Sequence, residues 1–162
     1  MNKYQSPLQS LPDEPMRLLG IIAVHWEWIE VLLERAIAEV MSLKNEPRVG
    51  LLTANLSFHA KCDLIAIHAS PLKALDPNLH KEFAKTLEGL KDAYSDRNKF
   101  IHGKWVVEQG VLLRHEIRTR NGKLTIARER TTETDLSNAA QRIYEAADSF
   151  VRLQQRYGLL KE

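Results

Sequence analysis

The sequence predicts a mainly helical fold, a four-helix bundle with a small β-hairpin or sheet insert before the last helix. Three observations predict it. Long segments carry apolar residues at helical spacing, prolines and capping residues punctuate them, and residues 104–130 switch to extended, alternating runs. The 162 residues, 44% hydrophobic and 27% charged, suit one soluble domain over 1–162. A chain of this length buries about 70% of its unfolded surface, enough for a core without disulfides or a structural metal.

Residues 1–12 read as a loose N-terminal arm, polar and carrying two prolines where a signal peptide would need an apolar run. The first helix is predicted from Asp13, its N-cap candidate, to Lys44, with Pro15 in the first turn, where a missing N–H costs little. Leu18, Ile22, Ile29, Leu33, Ala36 and Val40 form its stripe, and Leu19, Trp26, Ile37 and Met41 widen it enough for two neighbours. The segment Leu18 to Leu33 is broken by His25, Glu27 and Glu30 and is shorter than the roughly 20 apolar residues a bilayer requires, so no membrane span is predicted.

After Asn45-Glu46-Pro47 a short helical piece reaches about Ala54. Leu56, Ala60, Leu64 and Ile67 then mark a second main helix ending before Pro71. Pro77 opens the next, with a stripe of Leu79, Phe83, Leu87, Leu90, Tyr94, Arg97 and Ile101 and with Gly103 at the C-cap position. Trp105 to Glu108, Val111 to Arg120 and Lys123 to Arg130 read as strands, the last two joined at Asn121-Gly122, a strong two-residue hairpin signal. That turn pairs Arg120 with Lys123, Thr119 with Leu124 and Ile117 with Ile126, gathering Arg114, Arg118, Arg120 and Lys123 on one face. The last helix starts near Thr132, whose Thr-x-x-Asp135 approximates a capping box. It turns Leu136, Ala140, Ile143, Ala147, Phe150 and Tyr157 inward before Gly158.

Net charge is only +2, but residues 97–130 hold nine Lys/Arg against three Asp/Glu, leaving the remainder at −4. Such asymmetry suits either an anionic partner or a solvated hairpin with spaced arginines. The single Cys62 cannot form an internal bridge, which fits a reducing, cytoplasmic compartment. There is no Gly-rich phosphate loop, Gly-x-Ser-x-Gly elbow or His-Glu-x-x-His, which removes triphosphate hydrolysis, α/β-hydrolase and zincin chemistry. His59, Cys62 and Asp63 share one helix face, but three mixed ligands without a partner pair are a thin metal site. No metal or cofactor is expected.

Arg97-Asn98-Lys99-Phe100-Ile101-His102-Gly103 stands out, because a permanent cation on an apolar stripe needs a partner. On a continuous helix Arg97 and His102 would point about 500° apart, or about 140° after a full turn. They converge only if the helix unwinds at Ile101 to Gly103 or if a symmetry mate completes the pair. An arginine fork can hold nonbridging phosphate oxygens, a histidine can move a proton at neutral pH, and an Asn amide can bind phosphate or fix a tautomer. The substrate's own 2′-hydroxyl would then be the nucleophile, restricting the chemistry to RNA. Alternatively, Arg97 pairs with an acid such as Asp63 or Glu30, and His102 caps a helix end.

Arg-Asn-x-x-x-His ending a helix in a small bundle resembles the Arg-x4-6-His motif of the HEPN superfamily (higher eukaryotes and prokaryotes nucleotide-binding). The string Arg97 to Trp105, with Trp26-x-x-Ile-Glu30, is similar to uncharacterised bacterial HEPN-like proteins. The resemblance covers roughly residues 13 to 103 and the last helix; the insert 104–130 exceeds what the minimal bundle needs. It implies a homodimer whose two motifs form one cleft, and metal-independent RNA cleavage of the kind used by toxins and antiviral effectors, with a cognate antitoxin as a further partner. Arg97 would bind phosphate, His102 would be the acid/base and Asn98 the polar residue after the arginine. Lys99, Lys104, Arg114, Arg118, Arg120 and Lys123 are the expected RNA contacts. Two rivals stand beside this: a non-catalytic HEPN-like module binding a nucleotide, nucleic acid or protein, and a structural helical dimer.

Overall fold

A computed structural model describes residues 11–43, 46–120 and 123–158, with side chains described for all of these except 46–48, 117–120, 123 and 124. Among the described residues there are six helices: α1 (Asp13–Val40), α2 (Glu46–Thr53), α3 (Phe58–Ala69), α4 (Leu72–Leu75), α5 (Pro77–Ile101) and α6 (Glu133–Tyr157). Three strands, β1 (Lys104–Glu108), β2 (Val111–Arg120) and β3 (Lys123–Arg130), lie between α5 and α6. Helices α1, α3, α5 and α6 pack on one another around the core, so the mainly α fold with a small sheet before the last helix is as the sequence predicts.

The core is built from helical spacing. Ile22, Ile29, Leu33 and Ile37 from α1 meet Cys62 and Ile65 from α3, Phe83 and Leu90 from α5, and Leu136, Ile143 and Phe150 from α6. Burying an aliphatic or aromatic side chain of this size is worth about 1.5–3 kcal/mol. Trp26 is buried, whereas Trp28 is more than one-third exposed and meets the Tyr144 ring. His25 lies against the same ring and its Nδ1 donates to Ala140 O at 3.4 Å, tying α1 to α6.

Four details differ from the sequence expectation. Asp13 lies inside α1, because Pro12 takes the N-cap with no side-chain bond, and Leu11 within the expected loose arm is buried; residues 1–10 lie outside the described residues. Helix α1 stops at Val40 rather than Lys44. Ser42 adopts φ 53°, its N–H reaches Glu39 O, and Leu43 N–H reaches Ala38 O, a Schellman termination with serine where glycine is usual. Helix α3 begins at Phe58 with Ser57 as N-cap. It buries Phe58, Cys62, Ile65 and Ala69 instead of the face through Leu56 and Ala60, leaving Ile67 exposed. Both faces have helical period, and the large Phe58 ring, packed on Trp26 and Tyr94, decides between them. The short α4 has no counterpart in the sequence expectation.

The sheet is an antiparallel meander in the order β1-β2-β3. Gln109 and Gly110, with φ 51° and 77°, make the two-residue turn between β1 and β2. The register Arg120↔Lys123, Thr119↔Leu124 and Ile117↔Ile126 is the expected one, while the Asn121-Gly122 turn itself lies outside the described residues. At α6, Thr132 and Asp135 form the capping box and Gly158, at φ 72°, closes the helix.

Candidate active site

The site forms where α5 ends. Residue His102, at φ −92° and ψ 0°, takes the C-cap and leaves the helical conformation, so the α5 helix ends at Ile101. Its imidazole thereby reaches back: Arg97 Nη1 lies 2.6 Å from His102 Nε2 and 2.9 Å from Asn98 Oδ1. Of the two routes to convergence that the sequence leaves open, the chain takes the first, and the pair forms within one copy.

A guanidinium can only donate hydrogen bonds, so in this contact Nε2 of His102 can serve only as the acceptor. Arg97 is half-buried, with Cζ 5.8 Å from the Trp26 ring centre, a cation–π contact. The acid partners that were the alternative are engaged elsewhere. Glu30 and Glu34 accept from the buried Lys61 at 2.8 and 3.1 Å, and Asp63 lies 4.0 Å from Lys91. Among the described residues no carboxylate pairs with Arg97.

Beside this pair opens a cleft of about 770 Å³ between α5 and the sheet. Tyr94, Asn98 and His102 line the helix side, Arg114, Glu116 and Glu129 the sheet side, and Lys99 and Lys104 also border it. Arg97 does not line the cleft; it reaches it through Asn98 and His102. The His102 ring is exposed, so a ligand in the cleft has access to it.

Of the expected RNA contacts, Lys104 is exposed at the cleft, and Lys99 borders it while bonding Glu129 Oε1 at 2.6 Å. Arg114, which the register gathers with the other hairpin cations, is buried. Only 5% exposed, it is clamped by Glu129 Oε2 at 2.6 Å and Glu116 Oε2 at 3.2 Å. The reason is that Arg114 sits where the sheet meets the last turn of α5, its Nη1 donating to Lys99 O at 3.2 Å. The side chains of Arg118, Arg120 and Lys123 lie outside the described residues. Glu129 is held below the ordinary carboxylate range by the hydrogen bond from Lys99 and then that from Arg114.

Set against protein-family models, curated proteins and solved structures, the chain matches none of them.

Sequence reasoning misses Trp105, Glu129 and Tyr94. Glu129 was within reach of it, because the register that pairs Arg120 with Lys123 also places Arg114 opposite Glu129. His59 and Cys62 do not meet as ligands. The His59 ring packs edge-on against Tyr94, and Cys62 is fully buried with its thiol pushed up to about 12 by burial.

Proposed function

We propose that this chain is a HEPN-like ribonuclease that cleaves RNA without a metal ion, using Arg97, Asn98 and His102. The observation that carries the reading is the 2.6 Å approach of Arg97 to His102 at the rim of an open cleft bordered by Lys99 and Lys104. Arg97 is a cation with no carboxylate partner among the described residues, so a phosphate is a natural competitor for its fork. Drawing the guanidinium onto nonbridging oxygens takes it off Nε2 and leaves that lone pair to accept the 2′-hydroxyl proton. The 2′-oxygen then bonds to phosphorus as the bond to the 5′-oxygen breaks; that oxygen takes a proton from solvent water, the His102 imidazolium returns its proton to solvent, and the products are a cyclic phosphate and a 5′-hydroxyl end. Asn98, already bound to Arg97, steers the guanidinium between the two positions. A homodimer is part of the same proposal, with two such motifs facing one cleft.

The test is cleavage of a mixed RNA pool in EDTA by wild type, His102→Ala and Arg97→Ala at matched folded concentration. Losing a general base lowers turnover by about 10²–10⁴-fold and losing the phosphate clamp by about 10²–10³-fold. Cleavage lost in both variants, with cyclic phosphate on the wild-type products, is the expected result. A folded wild type that binds RNA with strong salt dependence and cleaves none of it would replace this reading with a binding module. Sedimentation velocity checks the dimer.

A further inference from the structure

Helix α5 ends against the sheet, and two sheet side chains meet the carbonyls that its last turn leaves without helical partners. Arg114 Nη1 donates to Lys99 O at 3.2 Å, and Trp105 Nε1 donates to Phe100 O at 3.1 Å. The Trp105 ring also stacks on Phe100, 6.3 Å between centres. The other end of the Arg114 fork, Nη2, is held by Glu129 and Glu116, so one buried guanidinium bridges the helix end and two strands. Its stem passes directly over Gly103, the residue after His102. A Cβ on Gly103 would lie 2.6 Å from Arg114 Cγ and 2.9 Å from Cδ, so the crossing requires a residue without a side chain.

We infer that Arg114, with Trp105, is a positioning residue for His102: it stops α5 at Ile101 and so turns the imidazole toward Arg97. A helix continued through His102 would put that residue back about 140° away from Arg97. Capping Lys99 O and Phe100 O from the sheet commits those carbonyls elsewhere, and a cation at the helix C-terminus is favoured by its dipole. The insert 104–130 is thus a brace for the motif as well as one wall of the cleft. Arg114 contacts no reacting atom, and its effect on turnover rests on the ribonuclease reading above; its effect on His102 does not.

The experiment follows the His102 ring by nitrogen-15 NMR at neutral pH in the full chain, for wild type, Arg114→Met and Trp105→Phe, together with RNA cleavage. Wild type is expected to show an unprotonated Nε2 and a protonated Nδ1. In folded Arg114→Met the ring is expected to exchange between tautomers, with kcat lowered by about 10²-fold and KM little changed, as for a displaced catalytic group. Trp105→Phe keeps the ring but not the donor, and is expected to shift in the same direction by less. A folded Arg114→Met with the wild-type His102 tautomer and wild-type kcat overturns the inference. If Arg114→Met does not fold, Trp105→Phe decides: an unaltered His102 ring in that variant overturns it equally. If wild type cleaves no RNA, the ribonuclease reading falls and the tautomer readout alone decides the role of Arg114.

Discussion

Arg97 and Lys61 are both cations set among apolar neighbours, and their partners separate their roles. Lys61, 6% exposed, has two carboxylates, Glu30 and Glu34, within 3.1 Å, an arrangement that fixes α3 on α1. Burial works against its charge and the two acids outweigh that, so its pKa is raised. Arg97 has instead a tryptophan face, an amide oxygen and an imidazole, none of which carries negative charge in this arrangement. Its charge is available to an anion in a way that the charge of Lys61 is not. Cys62 shows the converse, a reactive residue type made inert by its surroundings. Its thiol is fully buried and does not ionise until about 12, against 9.0 ordinarily. Native protein at pH 8 is therefore expected to resist iodoacetamide, with labelling that tracks unfolding by urea. Rapid labelling of folded protein would contradict this burial. The sign of the shift also matters: the unfolded thiol ionises near 9.0 and the folded one does not, so this contribution to stability is complete below 9.0 and is lost as pH rises toward 12.

Helix ends carry the difference between what sequence periodicity predicts and what forms. The capping box at Thr132, Pro77 at the start of α5 and Gly158 after α6 are all readable, because each uses a residue type with one dominant local role. The end of α1 is not readable in that way, since Ser42 stands at φ 53° where a glycine would have announced the stop. Ser42→Gly is expected to stabilise the fold by about 0.5–1 kcal/mol, because glycine adopts this conformation without the Cβ penalty. A urea midpoint at or below that of wild type would show that the serine is unstrained. The face of α3 was hidden for a different reason: two apolar faces shared one period, and only the aromatic cluster of Trp26, Phe58 and Tyr94 selects between them. Within the site, the residue types of Arg97, Asn98 and His102 were legible. Their convergence was not, because it depends on where α5 stops, and the carbonyls of its last turn are met from the sheet by Trp105, close in sequence, and by Arg114, twelve residues past His102. The burial of Arg114 was not legible either. Alternation identifies two faces of a hairpin but does not say which one packs on a helix.

Across the molecule, the sheet and the bundle are joined by charges as well as by apolar contact, and that junction is sensitive to acid. Glu129 on β3 accepts from Lys99 on α5 and from Arg114 on β2, so one carboxylate links three elements around the cleft. Its pKa is lowered by those bonds, as that of Asp135 is by the Thr132 capping interaction. A group with a depressed folded pKa contributes stability that is present above its ordinary value, 4.5 for Glu129 and 3.8 for Asp135, and that is lost as pH falls through the lowered one. The unfolded chain binds these protons first, so acid favours unfolding. Glu129→Gln keeps an acceptor of the same shape but removes the titration. Its cost at neutral pH is expected to be about 0.5–1 kcal/mol, small because Glu129 is 45% exposed and solvent screens the pair. Urea melts of wild type and Glu129→Gln from pH 7 to pH 3 are expected to differ at neutral pH and to converge as the pH falls, with the variant showing the shallower dependence. Parallel curves would mean that Glu129 is not tied to Lys99 and Arg114 in solution, and would leave the helix end and His102 without the brace that the sheet provides.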